Sequence, residues 1–153
     1  MADTYTQIHI QIVIAVKYRR ALIHHKWKDE LHRYITGIVQ NNRHKMLAIN
    51  SMPDHLHLFF GMRPHQALSD LMRMVSSDSS EWINNKGFTE VKFNWQGGYS
   101  GFSYGKSSVQ NVINYILNQE NHHRKKSFIE EYKELLTEFG IDFKEQFIFK
   151  LPE

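Results

Sequence analysis

The sequence contains no cysteine, so disulfides and thiolate metal sites are excluded. No apolar run approaches the roughly 18 residues needed to cross a bilayer, and residues 1–6 lack the basic-then-apolar order of a signal peptide. Both features lead us to expect a cytoplasmic chain with no membrane partner. A P-loop is missing, as are G-x-G-x-x-G after a strand, H-E-x-x-H and G-x-S-x-G. A nucleotide-driven enzyme therefore has no support. No repeat, low-complexity tract or linker divides the chain, and residues 1–153 read as a single domain. That length can bury a core, and 41% hydrophobic with 23% charged residues is the composition of a globular protein. The charge excess is small: 19 Lys and Arg against 16 Asp and Glu give +3. It points only weakly to nucleic acid. The basic clusters Lys17, Arg19, Arg20 and Arg124, Lys125, Lys126 each read, taken alone, as the solvated end of an element.

Hydrophobic spacing sets the expected elements. Residues 7–16 are rich in Ile and Val and predict a buried strand. Residues 27–41 carry Leu31, Tyr34, Ile35 and Ile38 at helical spacing. Residues 45–61 predict a hairpin turned at Pro53-Asp54, and Ser69 is placed to cap a helix through Leu71, Met72, Val75 and Trp82. A strand is expected over 91–95, then a loose stretch broken by Gly97, Gly98, Gly101 and Gly105. Ser107 or Ser108 is placed to cap a helix with Val109, Val112, Ile113 and Ile116. Ser127 is placed to cap another, with Glu130 and Glu131 in its first turn, where the helix dipole favours acids. Gly140 ends that helix, and 146–151 predict a last strand. This order is α+β, the split βαβ pattern of ferredoxin-like and RRM-like folds. It implies an antiparallel sheet with helices on one face, followed by a helix bearing Tyr115 and a tail.

Two constellations could carry chemistry. In His55-Leu56-His57-Leu58, alternate side chains share a face of the strand. His55 and His57 therefore point one way, about 6.5 Å apart along the backbone, and Leu56 and Leu58 point into the core. Two such imidazoles can hold one metal ion, although H-x-H alone reads as two exposed histidines on a wet sheet face. In Tyr115-x-x-x-Gln119, four helical residues bring the two side chains to within about 40° around the axis. Their stripe flanks the apolar arc and faces the sheet edge, where a buried amide needs a partner and a metal is one candidate. The adjacent pairs His24-His25 and His122-His123 diverge on a helix, so neither pair is expected to ligate one ion jointly.

The residues from Met52 through Phe59 resemble the signature strand of the HUH-type, single-tyrosine transposases of small bacterial insertion sequences. The residues from Tyr115 through His123 are similar to that family's tyrosine helix, and Ser127-Phe128 continue the likeness. So do residues 5–20 and 95–99. The resemblance implies Tyr115 as nucleophile, with His55, His57 and Gln119 as ligands of one divalent ion, Mg²⁺ or Mn²⁺. It implies cleavage and rejoining of single-stranded DNA at hairpin-forming element ends through a 5′-phosphotyrosine. It also implies a homodimer whose sites are completed in trans, with the glycines of 97–105 letting the tyrosine helix move. Ser76 departs from the pattern, because many relatives carry lysine there. Other readings are a host-domesticated nicking relative, a metal-dependent hydrolase, and a non-catalytic single-strand-binding module. The last would stack bases on Phe59, Tyr99, Phe102 and Tyr104.

Overall fold

The computed structural model describes residues 3–144, so the strand expected over 146–151 lies outside the described residues. Four strands form one antiparallel sheet: β1 (His9–Ala15), β2 (Lys45–Met52), β3 (His55–Gly61) and β4 (Ser100–Tyr104), in the order β2-β3-β1-β4. Helix α1 (Lys28–Asn41) joins β1 to β2, and α2 (Leu68–Lys86) lies between β3 and β4. The chain continues through α3 (Val109–Leu117), α4 (Gln119–His123) and α5 (Phe128–Glu138). The α+β architecture agrees with the expected ferredoxin-like pattern.

The central strands β1 and β3 are buried on both faces, which is why their sequences are nearly continuous apolar runs. On one face Ile12, Ile14, Leu56, Leu58 and Phe60 pack against Leu31, Ile35 and Val39 of α1 and Leu71, Met72, Val75 and Ile83 of α2. Each such side chain contributes about 1.5–3 kcal/mol on full burial. On the other face, Val13, Ala15 and Phe102 meet Phe128, Leu135 and Leu136 of α5. Ala48 and Phe59 meet Val112 and Ile116 of α3. The Tyr115 helix and its successors therefore form a second layer over the sheet.

Three local expectations are corrected. Residues 91–95 form no strand. Asn84 of α2 accepts the Phe93 N–H at 2.7 Å and donates to the Phe93 carbonyl at 3.0 Å, so a side chain takes the groups a ladder would use. The Trp95 indole donates to Ser79 Oγ at 2.8 Å, and only Trp95 bridges to Val16. The edge strand lies instead at β4, inside the stretch expected to be loose. There Gly101 faces Ile12, and a Cβ on Gly101 would sit 3.3 Å from Ile12 Cδ1. This glycine thus serves close packing of a strand. Third, α2 starts at Leu68 with Ala67 at its N-cap, so Ser69 lies inside the first turn, and Ser108 makes no side-chain cap bond to α3. Ser127 does cap α5, accepting from the Glu130 N–H at 3.2 Å.

The Asn84 clamp yields a stability prediction. Asn84→Ala strands both backbone groups of Phe93, and Phe93 itself is fully buried. The urea midpoint should fall by the equivalent of about 1–3 kcal/mol with an unchanged slope. A midpoint equal to wild type would show that the clamp does not hold this segment.

Candidate metal centre and nucleophile

Strand parity puts His55 and His57 on the sheet face opposite Leu56 and Leu58, directly across from Ala15 and Val13 of β1. They are 1% and 0% exposed, which overturns the reading of H-x-H as a wet-face pair. The cover is α5, whose Phe128 ring lies parallel to the His55 ring with centroids 3.7 Å apart. Each imidazole is anchored through Nδ1. His55 Nδ1 lies 2.8 Å from Asp54 Oδ1, and His57 Nδ1 lies 2.9 Å from Gln11 Oε1. With both rings held at Nδ1, both Nε2 atoms turn inward, where they can reach a common ion. Burial lowers the His55 pKa to about 4, against the opposing pull of its bond to Asp54, so the ring is neutral at physiological pH.

The inward nitrogens meet a carboxylate. Glu131 is 2% exposed, with Oε1 3.1 Å from His57 Nε2 and 3.8 Å from His55 Nε2. Its Oε2 lies 3.1 Å from His122 Nε2 and 3.4 Å from His123 Nε2. Burial alone would raise this carboxyl. Hydrogen bonds from His123 and His57 outweigh that effect and hold it well below the usual carboxylate range. Its negative charge in turn raises His123 above the ordinary histidine value, against the effect of burial. The adjacent pair His122-His123 thus converges on one carboxylate, because α4 ends there, although only His123 joins the tighter donor group.

Tyr115, on α3, donates its hydroxyl to Glu131 Oε2 and stands edge-on to His57, with ring centroids 5.8 Å apart. Burial first, and Glu131 second, push its hydroxyl well above the normal tyrosine range. Gln119 is fully buried, but its helix is not the uninterrupted one expected. α3 stops at Leu117, Asn118 leaves helical geometry, and Gln119 opens α4. The Gln119 amide keeps its four-residue contact by donating to the Tyr115 carbonyl at 3.3 Å, and its Oε1 lies 2.9 Å from His123 Nε2. Gln119 therefore reaches the centre beside His123. A cavity of about 310 Å³ opens onto Tyr115, bordered by Tyr104, Asn111, His122 and Glu134.

The donor chemistry fits a divalent cation. Single ligand atoms of His55, His57, His123 and Glu131 all lie within 4.8 Å of one another. His55 Nε2 is buried without a hydrogen-bond partner. Three imidazoles and one carboxylate suit a borderline divalent ion. Sequence reasoning missed Glu131, reading it as a dipole-stabilising acid. The available signal was its position: with Phe128 and Leu135 it lies on the apolar stripe of an amphipathic helix, where an unpaired acid does not belong. Of the four rings of the base-stacking reading, Phe59 and Phe102 are closed off at 0% and 1% exposure beneath α3 and α5, while Tyr104 is half-buried and Tyr99 is exposed.

Known proteins share this fold and part of this sequence. The family model described as "Transposase IS200 like" matches residues 4–119. The ISDra2 transposase TnpA of Deinococcus radiodurans is 27% identical over 74 residues, 48% of this chain and 53% of that protein. The chain thus matches about half the length of that relative. A crystal structure from Deinococcus radiodurans R1, assigned to a transposase, shares the fold at TM-score 0.62 and 19% identity, covering 78% of this chain and 95% of the other. The structure of a REP-associated tyrosine transposase bound to a REP hairpin matches at TM-score 0.59 and 13% identity, covering 80% and 73%. The matched family segment contains both histidines, Tyr115 and Gln119 but stops before Glu131. No described helix is long and apolar enough to cross a membrane. A sheet carrying two converging histidines, a tyrosine against them and a family model spanning most of the sequence lead to one assignment: this chain belongs to the IS200-like transposase family.

Proposed function

We propose that this chain cleaves and rejoins single-stranded DNA, with Tyr115 as nucleophile and a divalent ion bound at the His55–His57 centre. The observation that carries the reading is the shared carboxylate: Glu131 accepts from the Tyr115 hydroxyl with one oxygen and contacts His57 with the other. Nucleophile and ligand donors therefore meet at one point. The tyrosine oxygen attacks the phosphorus, the P–O3′ bond breaks, and a 5′-phosphotyrosine and a free 3′-OH result. Glu131 already bonds the hydroxyl whose proton must leave. When bound, the ion neutralises charge on a phosphate oxygen. His55 and His57 would hold it with an oxygen from Glu131 or Gln119, and Mg²⁺ and Mn²⁺ are the candidates. The covalent link conserves the ester, so rejoining requires no nucleotide.

The hairpin held by the REP-associated relative supports a hairpin-forming single strand as substrate. On this chain a cationic loop leaves β1 at the His55 end. Tyr18 and Arg19 have φ of 61° and 53°, and Lys17 and Arg20 flank the Tyr18 ring at 5.4 and 5.6 Å. Such a loop suits phosphates and an aromatic contact to a base. The two cuts of excision need two tyrosines, which supports a homodimer. The resemblance places the sites of such a dimer in trans, and the contact of Tyr115 with Glu131 within one chain makes a site complete in cis the alternative.

Three outcomes test this reading. Tyr115→Phe should fold and bind a single-stranded oligonucleotide from the gene's own flanks, yet form no denaturation-resistant adduct; a persisting covalent band would exclude Tyr115. In calorimetric titration, wild type should bind about one Mn²⁺ per chain and His57→Ala should lose most of that affinity. Comparing Glu131→Ala with Gln119→Ala identifies the oxygen donor, and equal affinity in all three variants would remove the site. Finally, mixing His57→Ala with Tyr115→Phe, with mixed dimers verified by native mass spectrometry, should restore an adduct carried only by the His57→Ala chain. No adduct would show that each site is complete in cis.

A further inference from the structure

Behind His57 lies a polar pair, Gln11 fully buried and Tyr104 half-buried at the border of the Tyr115 cavity. Gln11 of β1 is 0% exposed on a sheet face otherwise built from Val13, Ala15, Phe59 and Phe102. An amide placed there must find partners or cost several hydrogen bonds' worth of solvation. It finds two. Its Oε1 lies 2.9 Å from His57 Nδ1, and its Nε2 donates to the Tyr104 hydroxyl at 2.8 Å. The register explains the reach. Val13 faces His57, and Gln11 is two residues further along the same face of β1. Gln11 in turn faces Phe102, two residues from Tyr104 on β4. Burial pushes the Tyr104 hydroxyl up to about 12, so it stays a neutral hydroxyl. Its ring is held edge-on to Phe59, with centroids 5.9 Å apart.

We propose that Gln11, anchored by Tyr104, is a positioning residue that holds the His57 ring by its Nδ1, so that Nε2, 3.1 Å from Glu131 Oε1, stays in the metal centre. The amide has one accepting end and one donating end. Its oxygen faces His57 Nδ1 and its nitrogen faces the Tyr104 hydroxyl. When Nε2 ligates an ion, the ring proton must sit on Nδ1, and the amide oxygen is there to accept it. His55 achieves the same orientation by a different route, through the carboxylate of Asp54, which is 23% exposed. The two histidines thus have unlike supports: an ionised carboxylate near the surface for one and a neutral amide in the core for the other. This inference rests on the metal-binding reading above.

The test is Mn²⁺ affinity by calorimetry, with folding checked by thermal unfolding in EDTA. Gln11→Leu should lower affinity by roughly 10- to 100-fold, the range seen when partners behind a ligating histidine are removed. Gln11→Glu offers only accepting oxygens and should restore affinity to near wild type, although both variants disturb the same packing. Tyr104→Phe should weaken binding in the same direction by a smaller factor, because the amide loses the hydroxyl that anchors its far end. A wild-type chain that binds no Mn²⁺ overturns the metal reading and this inference with it. A wild-type chain that binds, beside a folded Gln11→Leu variant of equal affinity, overturns this inference alone. Should Gln11→Leu fail to fold, unchanged affinity in Tyr104→Phe or lost affinity in Gln11→Glu overturns it.

Discussion

A carboxylate buried to 2% exposure costs several kcal/mol unless donors surround it, and the second layer of this protein is arranged around that constraint at Glu131. Three of the groups that face it are imidazoles from two separate elements, His57 of β3 and His122 and His123 of α4; Tyr115 of α3 supplies a hydroxyl. Each of these elements must stand where its side chain reaches one point. The break at Asn118 follows from the same demand: it lets Tyr115 approach from α3 while the histidine pair approaches from α4. The apolar contacts of Phe128, Leu135 and Leu136 hold α5 on the sheet, and the charge at Glu131 sets where along the sheet it comes to rest.

Much of the fold could be read from local pattern. The alternation in β3 separated His55 and His57 from Leu56 and Leu58, and the helical spacing of Val112 and Ile116 located the face of α3 that packs on Phe59. Those signals are short-range. What escaped was decided by contacts between distant residues. Gln11 meets His57 across 46 positions and Glu131 meets it across 74, and no periodicity links such pairs. The exposure of the histidines was misread for the same reason, since the cover on β3 arrives from α5. Residues 91–95 have the composition of a strand, but composition could not reveal that Asn84 and Ser79 take its polar groups. At Gly101 the glycine-rich pattern suggested mobility, whereas the residue lies in a strand where a Cβ would crowd the Ile12 side chain.

The family match and the centre have different limits along the chain. The matched stretch ends at Gln119, and the carboxylate lies twelve residues beyond it, in a helix anchored by its own cap at Ser127. The sheet, the two histidines and the tyrosine are thus the part this chain has in common with the family model. The electrostatic environment of that tyrosine is set by α5. A change in α5 can therefore leave this tyrosine in place while giving its hydroxyl a different partner.

The spacing of these parts also orders events during translation. His57 leaves the ribosome 74 residues before Glu131, and Tyr115 leaves 16 residues before it. Until α5 is made, Phe102 and the histidine face of the sheet lack the cover of Phe128, Leu135 and Leu136, and the tyrosine has no carboxylate against it. A nascent chain in that state exposes apolar surface, and synthesis of α5 hides that face in the same step that brings Glu131 to Tyr115.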